Sequence, residues 1–242
     1  MVKLSVNINK IATLRNARGE NNPDVLKAAL DIESYGANGI TVHPRPDQRH
    51  IRYDDVYAIK KKIKVELNIE GYPSKEYVEL IKKVKPSQAT LVPDAPGVLT
   101  SDAGWEVEKN RELLGQVVGE LKKTGARVSL FIDPDKASSG DLKLARELGA
   151  ARIELYTKKY ADEFAKGNGE RVIIPYRRTA KLAGDFGLEI NAGHDLNLDN
   201  LNFFVRNITN LKEVSIGHAL ICDALYFGLK RTVERYLEQV KI

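Results

Sequence analysis

Short runs rich in valine, isoleucine and leucine recur along the chain, each followed by a longer stretch with helical spacing of its apolar positions. The runs are LSVNI (4–8), GITVH (39–43), VELNIE (65–70), ATLVP (89–93), RVSLFID (127–133), RIELYT (152–157), LEINA (188–192) and EVSIG (213–217). They predict eight strands. Between the first two, NPDVLKAALDIESYG (22–36) predicts a helix: Asn22 caps, Pro23 takes the first helical position, and Gly36 stops it. Val25, Leu26, Ala29, Leu30 and Ile32 form its apolar stripe. Gly125, Gly149 and Gly187 repeat the stop before strands five, six and seven. In 105–123 the stripe is Leu113, Leu114, Val117, Val118 and Leu121, and one long helix over about 219–240 closes the chain. Segment 158–170 has room for a small extra helix, and the Gly- and Pro-containing loop 94–104 for a lid.

Eight strand–helix units imply an α/β fold, a (β/α)8 TIM barrel, in one domain spanning 1–242. The runner-up, a doubly wound open sheet, lacks a glycine-rich fingerprint after the first strand. At 43% hydrophobic residues, a 242-residue chain buries a sizeable core. No run approaches the roughly 18 apolar residues of a membrane span. Polar residues interrupt what would be a signal peptide's apolar region in MVKLSVNINKIATLR. One cysteine, Cys222, excludes an intrachain disulfide and a multi-cysteine zinc site. A cytoplasmic protein with no membrane partner is expected. The net charge of +5 fits either nucleic acid or small anions. The runs KKKIK (60–64) and IKKVK (81–85) sit at predicted helix ends, where lysines complement the dipole, and no nucleic-acid motif accompanies them. No nucleic-acid partner is expected.

Barrel enzymes place chemistry at the C-terminal ends of their strands. His43, His194 and His218 stand at such ends, and His50 lies in a loop from the same face. Four histidines on one side suit acid–base chemistry near neutral pH. Glu66, Asn68 and Glu70 share one face of strand three, so Glu70 sits at the inner mouth, where burial perturbs a carboxylate and suits it to act as a base. Arg18, Arg45 and Arg49 offer cations beyond strands one and two. SIGHAL (215–220) runs from strand through glycine into a helix start, a common phosphate cradle, and NAGHD (191–195) has the same character. Metal binding by His43, Glu70 and His194 remains an alternative, although no H-x-H or H-E-x-x-H spacing occurs. So does Schiff-base catalysis by Lys10 or Lys158.

NINKIATLRNARG (7–19), GITVHPRPDQRHI (39–51), VSLFID (128–133), NAGHDLN (191–197) and SIGHALI (215–221) together resemble the pyridoxine 5′-phosphate synthase family of vitamin B6 biosynthesis. The resemblance runs along essentially the whole chain. It implies a barrel with extra short helices, a homo-octamer built as a tetramer of dimers, and no metal or organic cofactor. It implies small-molecule substrates, 3-amino-2-oxopropyl phosphate and 1-deoxy-D-xylulose 5-phosphate, condensed to pyridoxine 5′-phosphate, phosphate and water. Carried over by motif, His43 and Glu70 accept protons, His194 donates one, and Glu154 stabilises a transition state. Asn7, Arg18, Asp195, Gly217 and His218 match contacts to the amino-ketone phosphate; Arg45, His50 and Thr100 match contacts to the deoxyxylulose phosphate. Two positions depart from the pattern: Asn9-Lys10 replaces the usual Asp-His, and Asp195 replaces the glycine that often follows the proton-donor histidine.

Overall fold

The structure is a computed structural model that describes residues 1–94 and 103–241. Eight parallel strands close a barrel in chain order: β1 (Lys3–Asn7), β2 (Gly39–Val42), β3 (Glu66–Gly71), β4 (Gln88–Leu91), β5 (Arg127–Ile132), β6 (Arg152–Tyr156), β7 (Glu189–His194) and β8 (Leu211–Ile216). β8 returns to β1, with Leu4 opposite Val214 and Val6 opposite Ile216. Each strand falls in its predicted segment, with ends displaced by no more than two residues.

The helices are α1 (Asn9–Asn16), α2 (Val25–Ser34), α3 (Tyr53–Lys62), α4 (Lys75–Val84), α5 (Arg111–Lys122), α6 (Ser139–Leu148), α7 (Lys158–Ala165), α8 (Gly169–Asp185), α9 (Leu201–Asn207), α10 (His218–Phe227) and α11 (Leu229–Gln239). α7 is the small helix anticipated in 158–170, and α1 is an insertion the apolar pattern did not announce. Local chemistry sets the ends. In α6, Ser138 Oγ accepts from Asp141 N–H at 2.9 Å, and Gly149 stops the helix at φ +101°. α2 is capped by Asp24 rather than Asn22, because the Asp24 carboxylate reaches Lys27 N–H at 2.9 Å. α5 begins at Arg111 rather than near 105, since Trp105 is buried and donates its indole N–H to Leu91 O at 2.9 Å. The expected long C-terminal helix is two helices, broken at Gly228, whose φ of +76° and ψ of 149° leave helical space.

Strand alternation sorts the side chains into two populations. Leu4, Val6, Ile40, Leu67, Ile69, Ile153, Leu155 and their equivalents are buried against the helices. The other parity fills the lumen with polar groups. At the N-terminal end, Glu66 pairs with Lys3 and Arg127. Gln88 Oε1 accepts from Arg127 at 2.9 Å and from Arg152 at 3.1 Å, and Arg152 pairs with Glu189 at 2.9 Å and lies 3.8 Å from Glu213. Above them, Ser5 bonds Thr41 at 2.7 Å, Asn68 donates to Thr41 at 3.4 Å, and Thr90 donates to Asn68 at 3.0 Å. Bulky aliphatic residues usually fill this space. Here the polar plug supports a mouth in which Asn7, His43, Glu70, Tyr156 and His194 are the next residues up.

Candidate active site

A cavity of about 640 Å³ opens at the C-terminal end of the barrel. β1 and α1 supply Asn7, Asn9, Lys10 and Thr13 to its wall. The chain after β2 supplies His43, Arg45, Arg49 and His50; β3, Glu70; β6, Glu154 and Tyr156; β7 and the turn beyond, His194 and Asp195; β8 and α10, Ser215, Gly217 and His218.

His43 and Glu70 form its central pair, with His43 Nδ1 at 3.7 Å from Glu70 Oε2. Asn7 Nδ2 donates to the same oxygen at 3.4 Å. Burial holds His43 well below its usual value, and the charges of Arg45, His50, Arg49 and His194 push the same way, so its ring is neutral at pH 7. Burial pushes Glu70 up to about 7, with nearby Asp94 adding and His194 and Arg45 opposing. The pair is thus a neutral imidazole beside a carboxyl poised to lose its proton near neutral pH. Asn9, at a departure from the family pattern, braces the pair: its Oδ1 accepts His43 N–H at 2.9 Å, and its own N–H donates to Asn7 Oδ1 at 3.0 Å.

Glu154 lies deeper in the lumen and is 2% exposed. Burial, then the Glu70 and Glu213 charges, hold it well above the ordinary carboxylate range. A carboxyl that keeps its proton can donate a hydrogen bond. Its Oε2 and the Ser129 and Ser215 hydroxyls have no hydrogen-bond partner among the described residues. Gly193 makes room for it, since a Cβ there would stand 2.7 Å from Glu154 Oε1.

His194 closes the opposite side at a backbone φ of +103°. Its Nδ1 meets the Asp195 carboxylate, and the Tyr156 ring packs edge-on against it with centroids 5.4 Å apart.

The groups suited to anions lie on both flanks. Arg45 Nη2 donates to Asp94 Oδ2 at 2.8 Å, both side chains being buried. His50 Nδ1 accepts Ile51 N–H at 2.9 Å, and burial beside Arg45, Arg49 and Lys10 lowers His50 to about 4. The ring is therefore neutral with its proton on Nε2, a donor. Gly217 precedes α10 and approaches Asn7 so closely that a Cβ would stand 3.1 Å from Asn7 Cβ. His218 opens the helix behind it, where backbone N–H groups lack side-chain caps.

Ten of the twelve carried-over residues thus meet around one cavity. Arg18 does not: it is exposed in the turn after α1 and outside the cavity wall. Thr100, with most of the anticipated lid 94–104, lies outside the described residues. Lys10 and Lys158 both line the cavity, but Lys158 pairs with Asp162, which raises its pKa and holds it as a cation. The lysine runs fall in the last turns of α3 and α4, as expected of dipole-complementing positions. Among the described residues no three of His, Cys, Asp and Glu converge to hold a metal ion. Among the same residues no helix is long and apolar enough to cross a membrane.

Residues beyond the motif reading also shape the site. Phe131 and Tyr156 line it because they share strand parity with Ser129 and Glu154. Arg15 is 2% exposed, on the α1 face it shares with Ile11 and Ala12. It forks onto Asp55 at 2.6 and 2.9 Å and donates to His50 O at 3.1 Å, while Asn16 donates to the same carbonyl at 2.8 Å. Because the apolar pattern did not announce α1, nothing in the sequence marked Arg15 as a buried guanidinium, which requires a partner.

A closed parallel barrel with buried titratable groups and cations around a cavity at its C-terminal mouth has the layout of a barrel enzyme. Comparison makes the class specific. The family model described as pyridoxal phosphate biosynthesis protein PdxJ matches residues 4–242, and the chain belongs to that family. It is 55% identical over 241 residues to the pyridoxine 5′-phosphate synthase of Christiangramia forsetii, covering 100% of both chains. It is 54% identical to that of Cytophaga hutchinsonii over the same length and coverage. Among solved structures it is similar in fold to 3-keto-L-gulonate-6-phosphate decarboxylase from Vibrio cholerae, with a TM-score of 0.67 at 10% identity over 99% of this chain and 97% of that one.

Proposed function

We infer that this barrel makes pyridoxine 5′-phosphate by condensing 3-amino-2-oxopropyl phosphate with 1-deoxy-D-xylulose 5-phosphate, releasing phosphate and water. The observation that carries the reading is the convergence of His43, Glu70 and His194 on one cavity in a full-length member of the family. The reaction needs protons taken and given at fixed places, with intermediates held between them. His43, neutral at pH 7, and Glu70, ionising at about 7, accept protons. His194 donates one to a departing hydroxyl. Glu154, kept protonated by burial, offers a hydrogen bond to charge developing on substrate oxygen. Arg45 and the His50 Nε2–H take the deoxyxylulose phosphate. Asn7, Gly217 and His218 take the amino-ketone phosphate at the start of α10, where free amides suit an anion.

Supplying both substrates to metal-stripped protein should yield pyridoxine 5′-phosphate and inorganic phosphate in equal amounts; no product overturns the reading. His43→Ala, Glu70→Gln and His194→Ala should each fold normally and lose most turnover. A wild-type rate in any of them removes its assigned role. The same substrates with borohydride should leave no adduct on Lys10 or Lys158, because the substrate's own amine condenses with the ketone.

A cytoplasmic homo-octamer belongs to the same proposal. One free cysteine, Cys222, suits a reducing compartment. Leu225, Tyr226 and Phe227 at the end of α10 are 75%, 85% and 41% exposed, an apolar helix end suited to a subunit contact.

A further inference from the structure

We propose that Asp195 is a positioning residue for His194: its carboxylate accepts the Nδ1 proton, fixes the ring's tautomer and reserves Nε2 for the substrate. The proposal rests on the reading of His194 as the proton donor, and it gives Asp195 a task other than touching phosphate.

The geometry holds the ring from several sides. Asp195 Oδ2 lies directly on His194 Nδ1. Thr157, fully buried, ties both flanks of His194, donating to Gly193 O at 2.7 Å and accepting Asp195 N–H at 3.3 Å. Before it, Gly193 is locked between Glu154 Oε1 and Ser215 O, which a Cβ would meet at 2.7 and 2.8 Å. His194 itself sits at φ +103°, a conformation that a non-glycine residue keeps only where its surroundings enforce it. That backbone turns the ring toward the cavity, and Tyr156 flanks it at an interplanar angle of 82°.

The chemistry follows from the inventory of donors. An ionised carboxylate only accepts, so Nδ1 carries a proton in both states of the ring. In the charged ring the transferable proton is then on Nε2. During a dehydration, His43 or Glu70 removes a proton from carbon, and the C–H electron pair becomes the new double bond. The C–O bond breaks toward oxygen, and that oxygen leaves as water with the Nε2 proton. The ring is left neutral, protonated on Nδ1 and still bonded to Asp195. The same contact engages the Asp195 charge with the imidazole rather than with substrate phosphates, and Lys158 lines the cavity as a nearby cation.

Two variants test it, Asp195→Asn and Asp195→Gly, the second removing the side chain altogether. Long-range ¹H–¹⁵N correlation spectra of histidine-labelled protein, assigned with His194→Gln, read the neutral tautomer without any turnover. In the parent, His194 should be protonated on Nδ1. Asp195→Asn should move the proton to Nε2 and lower kcat about 30-fold or more, with both KM values within about threefold. Asp195→Gly should give mixed tautomers and an intermediate kcat, and it carries the test if the asparagine variant fails to fold. An unchanged tautomer in the folded variants overturns the proposal, as does a raised KM for the amino-ketone phosphate with kcat intact. Because the spectra need no catalysis, the pairing stands or falls separately from the overall reaction.

Discussion

Glu70, the proposed base, carries a cost to the fold. Its carboxyl is held at about 7 in the folded chain, chiefly by burial, against 4.5 for an ordinary glutamate. As a base it works only when ionised, so kcat/KM should climb as pH rises through about 7, and Glu70→Gln should abolish that limb along with most activity. The stability effect has the opposite sign. Between pH 4.5 and about 7 the folded chain keeps a proton that the unfolded chain releases, so stability falls as pH rises through this window and levels off above it. Glu70→Gln escapes that loss. Thermal melts should find parent and variant alike at pH 4 and the variant more stable at pH 8, on the order of 2–3 kcal/mol. A gap between the two proteins that does not widen from pH 4 to pH 8 rules this out. Strand parity alone put Glu70 on the inner face with Glu66 and Asn68. The same parity put Phe131 and Tyr156 at the mouth, but aromatic side chains carry no mark that separates a site wall from core.

At the level of elements, punctuation was the legible part. Gly36, Gly125, Gly149 and Gly187 all take positive φ where their helices stop. Gly228 is punctuation too, but it lies inside an unbroken apolar pattern and reads as a tolerated helical glycine until its backbone is seen. What the sequence hid was joinery between elements distant in sequence. Arg15 on α1 and Asp55 on α3 lie forty residues apart, and only the fold brings them together to grip the carbonyl of His50. The fork needs a planar guanidinium, which a lysine ammonium cannot imitate. Arg15→Lys should therefore keep the charge, loosen the loop and raise KM for deoxyxylulose phosphate about tenfold, ~1.4 kcal/mol, with little change in kcat. Kinetics with each substrate varied in turn, alongside amide exchange at residues 48–52, check this; an unmoved KM refutes the grip.

Over the whole molecule, the barrel has two interiors with opposite chemistry. The sleeve between strands and helices is apolar and was evident from Val, Ile and Leu at alternate positions. The lumen's ion pairs were not, because pairing across a closed ring depends on register that no single strand reveals. Arg152 is its most connected member, serving Gln88, Glu189, Asn191 and Glu213. Arg152→Ala strands the Glu213 carboxylate, which is 3% exposed, and should cost about 3–5 kcal/mol in urea unfolding. A loss below 1 kcal/mol would mean that solvent already serves this end of the barrel.

The same plug checks the barrel's spelling. A strand out of step by one residue would turn Lys3, Arg127 or Arg152 into the greasy sleeve and swing a leucine or valine into the lumen. Both errors are penalised at once, so each strand carries a parity bit that the closed ring verifies. Changes in the lumen should consequently be inherited in matched sets, an acid lost with the base it answers, while the sleeve drifts freely among aliphatic residues of similar volume.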